Sequence, residues 1–224
     1  MVVTQNRSID EGLVLYLPMT EGTGTKVFDR SQYGNHGTFL TGTEVPTWVT
    51  GKDSLGKALS FDGGDGVTIS DSPSLRVTND ITLSVWFKKT DFAGTQMIID
   101  SYDGGSGYCT LYISGNTPRF SIRDSDGNSL SVDFDDTITV VDVWHHIVGV
   151  RGDGEFKIFW NGRRQDDSVV DTYAQINSDG DWGICKQLVG SDYYFNGVVQ
   201  DLRIYNRGLS DNEVRTLYNM RRRV

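Results

Sequence analysis

Of the 30 acidic side chains only Glu11, Glu21, Glu44, Glu155 and Glu213 are glutamates, which leaves 25 aspartates alongside 26 glycines. Aspartate with glycine is the composition of tight turns, where the carboxylate bonds to nearby backbone N–H groups. It also suits a hard cation, because such turns present carboxylate and carbonyl oxygens together. Both readings, Asx turns and a calcium site, stay open on composition. The other reactive groups are sparse. His145 and His146 are adjacent in a strand-like run, and no G-x-S-x-G motif accompanies them, so a serine-hydrolase arrangement has no support. Cys109 and Cys185 are too few for a disulfide framework; they are read as two buried thiols, with a single bridge as the alternative. Aromatics near turns or on a non-core face, Tyr102, Trp182, Tyr193 and Trp86, could offer a sugar's C–H face a stacking surface beside polar groups.

Charge and hydropathy narrow the partners. A net charge of -9 repels a nucleic-acid backbone. No apolar run approaches the roughly 20 residues of a membrane-spanning helix. Met1 to Ser8 lacks the apolar stretch of a signal peptide. A length of 224 residues suits one all-β domain.

The elements that must position these groups read as short strands. Leu13, Leu15 and Leu17 share one face of a first strand, and Lys57 to Gly63 and Gly66 to Ile69 flank an Asp/Gly turn. In Ile81 to Lys88, residues Ile81, Leu83, Val85 and Phe87 alternate with Thr82, Ser84, Trp86 and Lys88, which predicts one core face and one face carrying a tryptophan. Further strands are expected at 96–101, 108–114, 119–123, 129–134, 144–151 and 198–205, with a turn at Asn161-Gly162. The stretch after Thr38 through Trp48 and Gly51 shows no regular pattern. Ser210 and Glu213 have capping-box spacing, and Val214, Leu217 and Tyr218 then share one helical face, expected to cover an end of the sandwich.

Four stretches occur in an order that resembles a known family. Asp29, Ser31, Gly34, Asn35, Gly37 and Thr38 fit its opening D-x-S-G-x-G-N-x-G-T type pattern. Lys57 to Gly66 is similar to its A-L-x-F-D-G segment, and Trp144-His-His-Ile with Ile158 to Gly162 is similar to its W-H-H-V…Y-V-N-G core. Gly197, Asp201, Arg203, Ile204, Tyr205, Asn206, Arg207, Leu209 and Ser210 fit its final V-R-I-Y-N-R-A-L-S signature, with Gln200 in place of an acid and Gly208 in place of alanine. The chain thus resembles the laminin-G-like jelly-roll family of the concanavalin A-like lectin/glucanase superfamily.

That resemblance implies an all-β fold, a two-sheet antiparallel jelly-roll sandwich with a short C-terminal helix. It is expected over residues 12–219, after an N-terminal arm at 1–11 and before a basic tail at 220–224. It also implies a structural calcium ion near Asp29, Asn35 and Asp201, with a carbonyl from Gly37. The superfamily's glucanase branch draws its acid and nucleophile from a compact E-x-D-x-(x)-E strand, and no two glutamates here lie close enough to form one, so no catalysis is expected. The expected role is a non-catalytic recognition or adhesion module for a glycan or glycosylated surface, with Tyr102, Trp182 and Tyr193 as candidate contacts. The alternative is a structural protein of a viral surface, joined to other subunits through its termini, since a start at Met without an export signal suits assembly inside a cell. Either way the expected location is extracellular or on a virion surface.

Overall fold

Period-two alternation of apolar and polar residues becomes two antiparallel sheets packed face to face. A computed structural model describes residues 8–40, 45–52, 56–92, 94–102, 104–105, 107–165, 169–171, 175–176, 179–190 and 193–220. The first seven residues of the expected arm, and 221–224 of the tail expected at 220–224, lie outside the described residues, while Met220 ends the helix. The strands are β1 (Leu13–Leu17), β2 (Lys26–Val27), β3 (Gly37–Phe39), β4 (Thr47–Thr50), β5 (Lys57–Asp62), β6 (Val67–Ile69), β7 (Ile81–Lys89), β8 (Thr95–Asp100), β9 (Tyr108–Ser114), β10 (Thr117–Arg123), β11 (Ser129–Asp133), β12 (Trp144–Gly152), β13 (Glu155–Trp160), β14 (Arg163–Arg164), β15 (Val169–Val170), β16 (Trp182–Ile184) and β17 (Asn196–Tyr205). Helix α1 (Asp211–Met220) follows.

The first sheet runs β14-β13-β12-β7-β17-β5-β4, with β1 also on β17 and β15 also on β13; the second runs β11-β10-β9-β8-β16-β6-β3-β2. The strand β4 occupies the stretch without a sequence pattern. It pairs with β5, Trp48 opposite Leu59, and alternation fails there because neither face of β4 is fully buried. Between the sheets lie Leu15 and Leu17, Ile81, Leu83, Val85 and Phe87, facing Leu111, Phe120 and Ile122. Gly149 is a necessary gap in this layer. A Cβ there would sit 2.3 Å from the ring of Phe120, which stacks on Phe156 at a centroid distance of 4.5 Å.

The outer face of the first sheet is buried as well. Strand β7 is buried on both sides because α1 lies across it, making a second cluster of Leu13, Val148, Val150, Phe159, Tyr205, Leu209, Val214 and Leu217. The helix therefore covers a face of the sandwich, where the sequence suggested an end. Its start is the expected capping box: Ser210 N donates to Glu213 Oε2 at 2.8 Å, and Glu213 N donates back to Ser210 Oγ at 3.4 Å. Tyr218 stacks on Trp86, which stacks in turn on His146. Trp86 is thus roofed by the helix and closed to any ligand, 4% exposed.

Burial holds the His146 imidazole neutral, with its pKa pushed down to about 3, and lowers that of His145 to about 4. The unfolded chain takes up these protons near pH ~6.5. The stability they contribute is complete above that pH and is lost as pH falls toward the folded values. His146→Asn is expected to flatten the pH dependence of unfolding free energy between about pH 6 and pH 4 relative to wild type; an unchanged slope counts against this. Gly149→Ala is expected to lower stability by about 1–3 kcal/mol through overpacking against Phe120, read as a reduced urea midpoint.

Candidate functional site

The expected metal residues form a different kind of site. As a strand on the outer side of β17, β1 leaves peptide groups unpaired along its far edge, and the loop at 29–36 satisfies them. Asp29 Oδ1 accepts from Tyr16 N and Ser31 N, both at 2.8 Å, while Asp29 Oδ2 accepts from Ser31 Oγ at 2.7 Å and Asn35 N at 2.8 Å. Asn35 Nδ2 donates to Val14 O and to Ser74 Oγ, each at 2.9 Å, and Arg30 N donates to Tyr16 O at 2.8 Å. Asp29 and Asn35 are thus brought together as a polar cap on β1.

The other two residues of the set belong to other strands. Gly37 is in β3 of the second sheet, where a Cβ would sit 2.6 Å from Val67 Cγ1. Asp201 is in β17 of the first sheet, at a left-handed φ of 55° in the bulge between Gln200 and Arg203, and its Oδ1 is 2.9 Å from Arg203 Nη2. Arranged in this way the four residues do not fit a calcium ion, since N–H and O–H donors surround the Asp29 oxygens where a cation would need to sit. Among the described residues no group of three His, Cys, Asp or Glu side chains could hold a metal.

Two concave features stand out among the described residues. A cleft of about 1010 Å³ at one end of the sandwich is lined by Tyr33, Arg76, Asp80, Arg151, Asp171 and Asn206 among others. Its guanidinium groups are engaged within the protein, Arg151 with Asp171 and Arg76 with Asp71. The second is a groove of about 430 Å³ across β8 to β11, on the outer face of the second sheet. Strand β9 turns Cys109, Leu111 and Ile113 into the core, so the pleat turns Tyr108, Thr110, Tyr112 and Ser114 to the other face, where Thr110 is itself buried at the groove floor. Register then lays out rows: Tyr112 beside Arg119 and Asp133, Thr110 beside Ser121 and Ser131, and Tyr108 beside Arg123 and Ser129. A floor of hydroxyls lies between two tyrosines. Tyr193 and Gln187 lie at its margin, joined by a Gln187 N to Tyr193 O bond of 3.1 Å.

The aromatic expectations divide accordingly. Tyr193 is 40% exposed and lines the groove. Half-buried Tyr102 sits outside the lining and packs edge-on against Tyr108 at 5.4 Å, so it supports a groove residue. Trp182 is 1% exposed, pairs in register with Ile69 and belongs to the inter-sheet core. No face of its ring is open to a sugar, which corrects the reading made from its neighbouring Asp/Gly turn. Sequence reasoning missed Tyr108 and Tyr112, although the alternation in Tyr-Cys-Thr-Leu-Tyr-Ile-Ser carried the signal. Burial raises the Tyr108 phenol above its ordinary pKa, so it stays neutral. Both cysteines are free and buried, and burial pushes the Cys109 thiol up to about 12. The two thiols are thus inert structural groups.

Comparison with known proteins gives the fold its relatives. The family model described as the concanavalin A-like lectin/glucanases superfamily matches residues 61–215. None of the curated proteins matches this sequence. Among solved structures, the binding domain of Paraclostridial Mosquitocidal Protein 1 superposes with a TM-score of 0.77 at 16% identity, over 95% of this chain and 53% of that one. Domain 4 of AbnA, a GH43 extracellular arabinanase from Geobacillus stearothermophilus solved with arabinotriose, gives 0.73 at 19% identity over 92% of this chain and 98% of that one. The binding domain of botulinum neurotoxin serotype D/C solved with SialylT gives 0.69 at 17% identity, over 96% of this chain and 52% of that one. The chain therefore spans about half the length of the toxin binding domains it resembles. At these identities the likeness is one of fold.

Removal of the Asp29 carboxylate would leave three buried or half-buried N–H groups without their acceptor. Asp29→Ala is expected to cost about 3 kcal/mol or more, while the melting temperature of the wild-type protein stays the same with and without EDTA. A melting temperature that falls on chelation would restore the metal reading.

Proposed function

The chain belongs to the laminin-G-like family of the concanavalin A-like lectin/glucanase superfamily, and on that premise we propose that it is a non-catalytic carbohydrate-recognition module whose ligand lies in the groove across β8 to β11. The observation that carries this reading is the placement of Tyr108 and Tyr112 on either side of a row of hydroxyls. Tyrosine faces stack on the C–H face of a sugar, and exposed Ser129 and Ser131, above a floor formed by buried Thr110 and Ser121, are placed to exchange hydrogen bonds with its rim. One carboxylate, that of Asp133, stands at the groove and is paired with Arg119, whereas glycoside hydrolysis needs two flanking the bond. That difference supports binding without turnover. Relatives of the same fold add weight: the arabinanase domain was solved with arabinotriose and the neurotoxin D/C domain with SialylT.

The alternative role, as an outward head on a viral or other particle, is compatible with glycan recognition. It rests on attachment through the termini, whose outermost residues lie outside the described part of the chain, and no feature of the fold favours it.

A glycan array followed by titration calorimetry tests the proposal. Tyr112→Ala and Tyr108→Ala are each expected to weaken binding of the best array ligand by about tenfold or more, without a matching fall in melting temperature. Binding that survives both substitutions would remove the groove from consideration.

A further inference from the structure

We propose that Asp133 is a specificity residue of this groove: by occupying the guanidinium of Arg119 it fits the site to uncharged saccharides and turns away those bearing a carboxylate. The inference rests on the groove being the glycan site and deepens that reading.

Arg119 is the one charged side chain among the described residues that line the groove. Its register partners are Tyr112 on one side and Asp133 on the other. The guanidinium carbon lies over the Tyr112 ring, 5.9 Å from its centre, so the charge is held against the aromatic group on which a sugar would stack. An arginine in that position is a receptor for a carboxylate, because its planar fork donates two parallel N–H bonds to the two oxygens. Here the fork is already filled. Arg119 Nε donates to Asp133 Oδ1 and Nη2 donates to Oδ2, the two-point geometry that an acidic sugar would otherwise take. Asp133 also leaves a carboxylate at the rim, which repels a second one. The hydroxyls of a neutral sugar meet neither obstacle, since the exposed Ser129 and Ser131 remain along the trough.

The pair has the character of a selective device more than of a structural brace. Its side chains are 32% and 40% exposed, a setting in which an ion pair contributes little to stability. Arg123, two residues further along β10, provides the contrast. It faces Ser129 across the register, donates Nε to Gly127 O at 3.2 Å, and stands outside the groove lining.

Titration calorimetry of wild type, Asp133→Asn and the double variant Arg119→Gln/Asp133→Asn tests this, using the neutral oligosaccharide best bound on the array and trigalacturonate and sialyllactose as acidic probes. Wild type is expected to bind the neutral probe alone. Asp133→Asn is expected to gain about tenfold or more for an acidic probe, and the double variant is expected to lose the gain. No gain in Asp133→Asn, a gain that persists without Arg119, or wild-type binding of acidic probes as tight as of neutral ones would overturn the proposal. Failure of the underlying site reading is recognised separately, as wild-type neutral binding that is insensitive to Tyr112→Ala.

Discussion

Backbone pairing along both edges of β17 is the constraint on which the first sheet depends. One edge is shared with β7 from Gly197 to Tyr205; the other is divided between β5 for the first half and β1 for the second. A single strand therefore joins the early, middle and final parts of the chain. The bulge in its pairing with β7, between Gln200 and Arg203 with Asp201 in the left-handed region, falls where the other edge passes from β5 to β1. The close approach at its start requires glycine. A Cβ on Gly197 would lie 2.2 Å from the carbonyl oxygen of Lys88.

The abundance of aspartate follows from similar backbone demands. Asp29 satisfies peptide groups on β1 and in its own loop, and Asp124 does the same in the turn between β10 and β11, accepting from Asp126 N and Asn128 N at 3.0 and 2.8 Å. These carboxylates replace missing strand partners. A carboxylate committed to such donors is a poor cation ligand, because the geometry that satisfies an N–H group excludes a metal from the same lone pairs.

Much of this architecture was legible in the residues. The 81–88 alternation, the Trp144-His-His core and the final signature each correspond to an observed strand, and the Ser210 to Glu213 cap to an observed helix start. Solvent exposure was harder to read. Period two separates the faces of a strand but does not say whether either face meets water. Trp86 looked open because its neighbours Ser84 and Lys88 are polar, yet α1 folds over it from more than a hundred residues away. Trp182 follows a polar turn but points inward, whereas Tyr108 and Tyr112 occupy an ordinary-looking strand and form the groove. Only register across β8 to β11 puts them in rows with Arg119 and Ser121, and register is a long-range property.

The second cluster on the first sheet has a directional consequence. Ile9 packs against that cluster, Arg207 Nε donates to Glu11 O at 2.6 Å, and α1 runs across the same surface. Both ends of the described chain are thereby gathered on the back of the sandwich, with two sheets between them and the tyrosine groove. A neighbouring segment joined at either end would hold the module by its back, leaving the tyrosines pointing away from the tether. The burial that stabilises the helix thus also sets the orientation in which the groove would be presented.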